Sequence, residues 1–413
     1  MNAPLHRYAA TLRRIEALTS LQKMVALPPE SDISPRQWNA LNHALHVSAE
    51  KLEQPLTEHI KVLLRSNPAD MDIQRKLYAA LGETELRLTK AYKFFDMYAD
   101  ILSQRLIPGL GSLLAGCDAL AQDALYRNHP ALHLVEPPLV HVDPHFGASI
   151  ARQDVRLPDG TANPMAMIQI PYSRILEKWN LTSILHEAGH EVMVRLGMVG
   201  LWPQIVGEVL KREGGSSRIQ HLFGMWMSEI GPDFWTFGCS GIAAAGGIRE
   251  LLILPPAMMT RVSDADPHPP PWLRVLLNFE WCRQVWGKGI WDIWEEEWLN
   301  LFPLENLPEK QVHLLETCRK YLPVVSRAMF TTRLKVLSGK PMTVLFDLEN
   351  LHPAKLQPIA ASAKSGKLTL RGLRPSAQLA VFRLVKESQY LSPENLDKVM
   401  GEWLKKLKHF VND

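Results

Sequence analysis

The chain has 413 residues, of which 46% are hydrophobic and 22% are charged. This composition is typical of a globular protein and excludes an intrinsically disordered or collagen-like chain. The formal net charge of +3 is close to neutral for this length and predicts no nucleic-acid-binding surface and no attraction to an anionic membrane.

Three further features of the sequence bear on location. Residues 1–20 contain no apolar segment of the kind that secretory signals carry. The most apolar stretch later in the chain, residues 240–259, contains Arg249 and Glu250 and is too polar to span a bilayer. The four cysteines lie far apart and form no C-x-x-C pair, so we expect a cytoplasmic protein with free, mostly buried thiols.

Residues 1–135 form the first predicted region, and it is helical. Apolar residues recur there at the spacing of one helix face. Turn-forming residues rich in proline and glycine interrupt the pattern at residues 28–35, 67–70 and 108–111.

Residues 136–330 form the second predicted region, which mixes strands and helices. Two short strands are expected around a turn at residues 158–160, and the second strand is Met165–Ile170. Helices follow, and residues 331–413 form a third, helical region. The predicted fold class is therefore α+β and predominantly helical.

The histidines in the HVDPH segment are not assigned to a metal site. His141 and His145 have a spacing that would place them on one helix face, but Pro144 is unfavourable inside a helix. We interpret them as unrelated histidines of a loop.

The segment LTSILHEAGHEVM, residues 181–193, contains the pattern H-E-x-x-H. On a helix, His186 and His190 lie one turn apart and point the same way. Two imidazole nitrogens could then take two of the tetrahedral positions around one Zn²⁺, and Glu187 could act on a water at the metal as a general base. The alternative is an apolar helix that carries two histidines by chance.

A catalytic zinc ion needs a third protein ligand and an open fourth position. Glu208 follows the histidine helix too closely to reach back, and Glu213 lies in a polar turn. Glu229 is preferred because it follows the apolar run LFGMWM, where a carboxylate needs a partner. Asp233, four residues later, could orient a ligand histidine, although Pro232 predicts a weak point in the helix between the two carboxylates. The other downstream candidates are His221 and His268.

These motifs resemble a known family. H-E-x-x-H followed by E-x-x-x-D on a second helix is similar to the gluzincin group of zinc metallopeptidases, to which thermolysin belongs. The segment DPHPPPWLRVL resembles the H-P-x-x-x-x-R segment of HtpX-type peptidases and of many uncharacterised bacterial H-E-x-x-H proteins. The matching positions in that segment are His268, Pro269 and Arg274.

The resemblance covers about residues 160–280 and implies a zincin-like catalytic core with helical N- and C-terminal extensions. It also implies a peptide or protein substrate, and zinc bound by His186, His190 and Glu229 with Asp233 behind a ligand histidine. Glu187 would take a proton from the attacking water and pass it to the leaving amine.

Other roles follow from the same expectation. His268, Tyr172 or Arg274 would stabilise the oxyanion. Zincins place an edge strand before the metal helix, and Met165–Ile170 would pair with an extended substrate there. The alternative for this segment is an ordinary buried strand.

Two rival functions remain open from the sequence. One is a metal-binding protein without peptidase activity, for which a fourth protein ligand would be evidence. The other is a zinc hydrolase of the same fold with a non-peptide substrate, for which a small enclosed cavity without a strand along it would be evidence.

Overall fold

Helices make up most of the part of the chain that the computed structural model describes, namely residues 3–65, 67, 70–144, 147–157 and 160–407. The α-helices before the sheet are α1 (Ala3–Ala17), α2 (Leu21–Met24), α3 (Pro35–Arg65), α4 (Met71–Ser103), α5 (Leu110–Leu125) and α6 (Pro130–His133). Those of the middle of the chain are α7 (Ser173–Leu176), α8 (Thr182–Arg195), α9 (Met198–Arg212), α10 (Ser217–Ser240), α11 (Ile242–Leu251) and α12 (Pro256–Met259). The last are α13 (Pro271–Trp286), α14 (Ile290–Leu301), α15 (Glu309–Thr331), α16 (Pro353–Ala361), α17 (Pro375–Glu387) and α18 (Pro393–Leu407).

A small sheet lies between α6 and α7. Its strands are β1 (Leu139–Val142), β2 (Ser149–Ala151) and β3 (Met167–Ile170), in the order β1-β3-β2. β1 runs parallel to β3, and β2 runs antiparallel to it. Together with the many helices, this sheet confirms the predicted α+β, predominantly helical class.

Two predictions about this sheet are corrected by the observed strand order. The Met165–Ile170 segment contributes β3, which is the central strand, so both of its edges are already paired and it cannot add a substrate strand. In the described part of the chain, β1 and β2 are the two edge strands of the sheet. His141 lies on β1 rather than in a loop, whereas His145, Pro158 and Asp159 are outside the described residues.

The sheet separates two hydrophobic clusters. Side chains alternate between the two faces of a strand, so Leu139 and Met167 enter the cluster formed by α1, α3 and α4, while Val140 and Ile168 enter the larger cluster. Both faces of β1 and β3 are thus covered, which explains why these strands are mostly apolar, with one polar residue each, His141 and Gln169.

The larger cluster contains the helices that surround the predicted site. α8 packs against α5, α9 and α10, and α17 and α18 belong to the same cluster. The division at residues 135 and 330 stays a prediction, although α5 packs with the helices of the middle region. All four cysteines are buried and unpaired, as predicted.

Among the described residues, no single helix is both long enough and apolar enough to cross a membrane, and one pair bent by 87°, Lys178–Arg195 with Met198–Arg212, meets those criteria only when taken together.

Candidate metal centre

The contact between α8 and α10 builds the site. Gly189 on α8 lies against Pro232 on α10, so closely that a Cβ atom at Gly189 would be 2.9 Å from Pro232 Cα. The absence of a side chain at Gly189 lets the helix backbones approach each other. The two histidines of α8 therefore face the two carboxylates that flank Pro232 in sequence, Glu229 and Asp233.

The predicted weak point at Pro232 does not interrupt α10, which is continuous over Ser217–Ser240. Proline inside a helix removes one backbone hydrogen bond and costs about 3 kcal/mol. Packing offsets this loss, because the residues from Glu229 to Ser240 are all buried. Helix α10 consequently presents both carboxylates on the side that faces α8.

Three of the predicted ligands converge on one point. The Nε2 atoms of His186 and His190 are 3.2 Å apart. One carboxylate oxygen of Glu229 lies 3.2 Å from Nε2 of His186, and the other lies 3.7 Å from Nε2 of His190. Ligand atoms of His186, Glu187 and His190 also lie within 4.8 Å of one another.

This donor set fits a zinc ion. Zinc–nitrogen bonds of about 2.0–2.1 Å in a tetrahedron place neighbouring ligand atoms about 3.3 Å apart. The separations among His186, His190 and Glu229 are close to that value. Two imidazoles and a carboxylate are also the ligand types that zinc takes in catalytic sites.

Asp233 and Arg274 lie behind the ligand set. Oδ1 of Asp233 is 2.8 Å from Nδ1 of His186, on the side of the ring away from the other ligands. A carboxylate at this distance favours a proton on Nδ1 electrostatically, and that is the tautomer that leaves Nε2 free for a metal. Arg274 on α13 donates to both oxygens of Asp233, at 2.6 and 2.9 Å, and its Nη2 also lies 3.4 Å from Glu229.

The charges of the centre favour a cation at the ligand point. Burial alone would lower the pKa of His186, but Asp233 and Glu229 raise it to about 10. Burial and the neighbouring His186 lower the pKa of His190 to about 4. Burial opposes ionisation of Glu229, yet His186 and Arg274 hold its pKa below its usual value. Without a metal, a proton on His186 supplies the positive charge that the carboxylates require.

Glu187 is the remaining charged group of α8 at this centre. Its side chain is buried, and this burial raises its pKa to about 7. A carboxyl group with such a pKa both accepts and releases a proton near neutral pH. The environment of Glu187 thus matches that of a general base.

The centre opens into a cavity of about 590 Å³. Residues 147–150, which include the start of β2, form one wall, and α11 contributes an apolar wall. The loop after β2 is tied to α8, because the backbone N–H of Gln153 donates to Glu191 at 3.1 Å. This bond positions the edge strand relative to the metal ligands.

Of the three residues predicted to stabilise an oxyanion, two line the cavity and one does not. Arg274 and His268 both line the cavity, and Nε2 of His268 is 3.8 Å from Glu229. Tyr172 does not line it, and its side chain is 56% exposed. The rejected ligand candidates Glu208, Glu213 and His221 are exposed and also lie outside the cavity lining.

Sequence reasoning missed two charged groups of the cavity, Arg152 after β2 and Arg174 on α7. The segment of Arg174, PYSRIL, matches no motif, and no local spacing marks this arginine as part of a site. Only the fold of the segment between β3 and α8 brings Arg174 to the cavity wall.

Comparison with known protein families, with curated proteins and with solved structures finds no match to this chain. The gluzincin resemblance therefore rests on the residues themselves and stays a prediction.

Proposed function

We propose that this protein is a zinc-dependent metallopeptidase with a zincin-like core. The observation that carries the proposal is the convergence of His186, His190 and Glu229 beside the buried carboxyl group of Glu187, all lining one cavity. A zinc ion held there would lower the pKa of a bound water and polarise a substrate carbonyl.

The chain's own groups would divide the remaining work. Glu187 accepts the proton of the attacking water and later donates it to the leaving amine, for which its pKa of about 7 is suited. Asp233 keeps His186 in the tautomer that binds metal. Arg274 donates hydrogen bonds to both oxygens of Asp233, so its role is to position Asp233 and Glu229. His268 also lines the cavity, and its Nδ1 donates to Asp266 at 2.8 Å, so its Nε2 would donate to an oxyanion only in the imidazolium form.

A peptide substrate is favoured over a non-peptide substrate by the edge strand. β2 pairs with β3 along one side only, and Ser149 and Ile150 line the cavity. An extended peptide added to the free edge would form backbone hydrogen bonds without depending on its sequence. This geometry would bring a backbone carbonyl beside the zinc ligands.

The rival function is a protein with a closed zinc site, because Glu187 is close enough to serve as a fourth ligand. The variant Glu187→Gln separates the two. As a general base, Glu187 is not needed for zinc binding, so the variant should keep about one zinc per chain and lose peptide hydrolysis by about 10²- to 10⁴-fold.

The assay measures zinc by elemental analysis and cleavage of a mixed peptide library on the same sample. Glu208→Gln, which changes an exposed carboxylate on α9, is the matched control and should keep both zinc and activity. Loss of zinc from Glu187→Gln would support the closed site. Zinc-loaded wild-type protein that cleaves no peptide would overturn the peptidase proposal.

A further inference from the structure

The guanidinium of Arg174 lies in the cavity wall, and no described residue forms an ion pair with it. Its Nε atom is buried and has no hydrogen-bond partner among the described residues. Burial lowers the pKa of Arg174, and Glu177 opposes this only through its charge, without a hydrogen bond. A half-buried guanidinium without an anionic partner has lost part of its hydration, and no anion compensates for this loss.

The nearby carboxylates are already engaged elsewhere. Arg174 also borders a smaller cavity that contains Glu177 and Glu250. Glu177 accepts a hydrogen bond from Asn180 at 3.2 Å. Glu250 accepts from Arg383 at 2.8 Å and also pairs with Lys386.

Among the described residues, two of the three buried arginines have carboxylate partners, and the third, Arg127, donates to Ser376. Arg105 pairs with Asp118 at 2.9 Å, and Arg383 pairs with Glu250. Arg274, in the same cavity as Arg174, is held by Asp233. Arg174 instead lines the cavity of the metal centre without a hydrogen bond from its Nε to a described residue, so a ligand in this cavity can pair with it.

We propose that the substrate carries a carboxylate group, and that this group pairs with the guanidinium of Arg174 while the scissile bond lies at the metal centre. The inference rests on the proposed function, since it names the substrate class of the same cavity. Arginine suits this role because its planar donors match the two oxygens of a carboxylate.

Two neighbours define the substrate further. Arg152, which follows β2, is another arginine of the cavity lining besides Arg174 and the engaged Arg274, but it acts electrostatically on Glu191. The apolar wall consists of Ala244, Ile248 and Leu251 of α11 and of Leu252, which follows α11. A carboxylate next to an aliphatic side chain matches this combination, and the carboxylate is either the C-terminus of a peptide or an acidic side chain.

Paired substrates distinguish these two sources. The C-terminal pair is a leucine-rich peptide library with free C-termini and the same library with amidated C-termini. The side-chain pair consists of amidated libraries that differ only by Glu in place of Gln. For one of these two pairs, the kcat/KM of wild-type protein should be about ten- to a hundredfold higher for the member that carries the carboxylate. This range is expected because one charge-assisted hydrogen-bonded pair contributes about that much.

Arg174→Gln should remove that preference while leaving cleavage of the neutral member within about twofold, and Arg174→Lys should restore part of it. The matched control is Arg212→Gln, which changes an exposed arginine on α9 and should keep the preference. If Arg152→Gln removes the preference and Arg174→Gln does not, the assignment to Arg174 is wrong.

A binding measurement decides the inference independently of turnover. Two pairs of probes are titrated calorimetrically into the Glu187→Gln variant, with and without Arg174→Gln. One pair is N-acetyl-Leu-Leu and its amide, and the other is N-acetyl-Leu-Glu-amide and its Gln counterpart. Tighter binding of one carboxylate probe that disappears with Arg174→Gln supports the inference even if no peptide is cleaved. Equal binding within both pairs overturns the inference. It is also overturned if the preference for the carboxylate survives Arg174→Gln but vanishes when zinc is removed, because the carboxylate would then bind the zinc instead.

Discussion

Gly189→Ala should damage the metal centre although it changes neither a ligand nor a charge. The added Cβ would lie 2.9 Å from Pro232 Cα, 3.1 Å from its carbonyl oxygen and 3.2 Å from its Cβ. These atoms belong to backbone and to a rigid ring, so they cannot rotate away. The helices α8 and α10 must move apart instead.

The size of the effect follows from two opposing contributions. Ordinary van der Waals contact begins at 3.4 Å, so the helices must separate locally by about half an ångström. Overpacking of this kind costs about 1–3 kcal/mol. Replacing glycine by alanine inside a helix contributes about 0.8–1.0 kcal/mol in the opposite direction. The free energy of unfolding should therefore fall by about 0–2 kcal/mol.

Metal affinity should respond more strongly than stability. Glu229 and Asp233 lie on either side of Pro232, so the same displacement moves both carboxylates away from the histidines. Zinc sites accept distance errors of only about 0.2 Å. We expect zinc affinity to fall at least tenfold.

The free energy of unfolding is measured by denaturant unfolding of the metal-free protein. The zinc affinity is measured by competition of the protein with a zinc chelator. The control is Gly207→Ala in α9, where a Cβ would meet nothing within 4 Å. It should raise the free energy of unfolding by about 0.5–1 kcal/mol and leave zinc affinity unchanged. Wild-type zinc affinity in Gly189→Ala would refute the reasoning, because the close contact would then not set the ligand geometry.

Three further outcomes are expected. Glu229→Ala should abolish most zinc binding, whereas Glu213→Ala should not, and equal losses in a chelator competition would mean that the ligand lies elsewhere. Asp233→Asn should weaken zinc affinity by about ten- to a hundredfold, a smaller loss than that caused by Glu229→Ala. Burial lowers the pKa of His141 from 6.5 to about 4, so the unfolded chain binds a proton between these pH values and the folded chain does not. Stability should fall by up to about 3 kcal/mol as pH drops through this window, and unfolding curves of His141→Gln should lack this part of the pH dependence.

The features that the sequence predicted correctly are those that depend on local spacing. The helix with His186 and His190 follows from residues four apart on an apolar background, and α8 spans Thr182–Arg195. Glu229 follows an apolar run, where a carboxylate needs a partner, and it lies 3.2 Å from Nε2 of His186, while its role as a metal ligand stays a prediction. Both features are set by a short window of residues.

The features that the sequence left open depend on distant partners. β3 is the central strand because β1 and β2 pair with its two edges, and the apolar pattern of Met165–Ile170 is the same for an edge strand and for a central strand covered on both faces. Arg174 is similar, because nothing near it in sequence indicates that the carboxylates around it are bound by Asn180, Arg383 and Lys386.

Gly189 and Pro232 show how tertiary packing reverses a local inference. Glycine and proline are the two residues least favourable in a helix interior, and each alone predicts a defect in its helix. The structure places them opposite each other, where the absence of a Cβ on α8 accommodates the backbone and ring of α10. Helix propensity alone rates Gly189 and Pro232 as two unfavourable residues, but in the fold they form one close contact. This contact brings the carboxylates of α10 within reach of the histidines of α8. Residues with poor propensity on two adjacent helices are therefore better interpreted as a pair than singly when both helices carry candidate ligands.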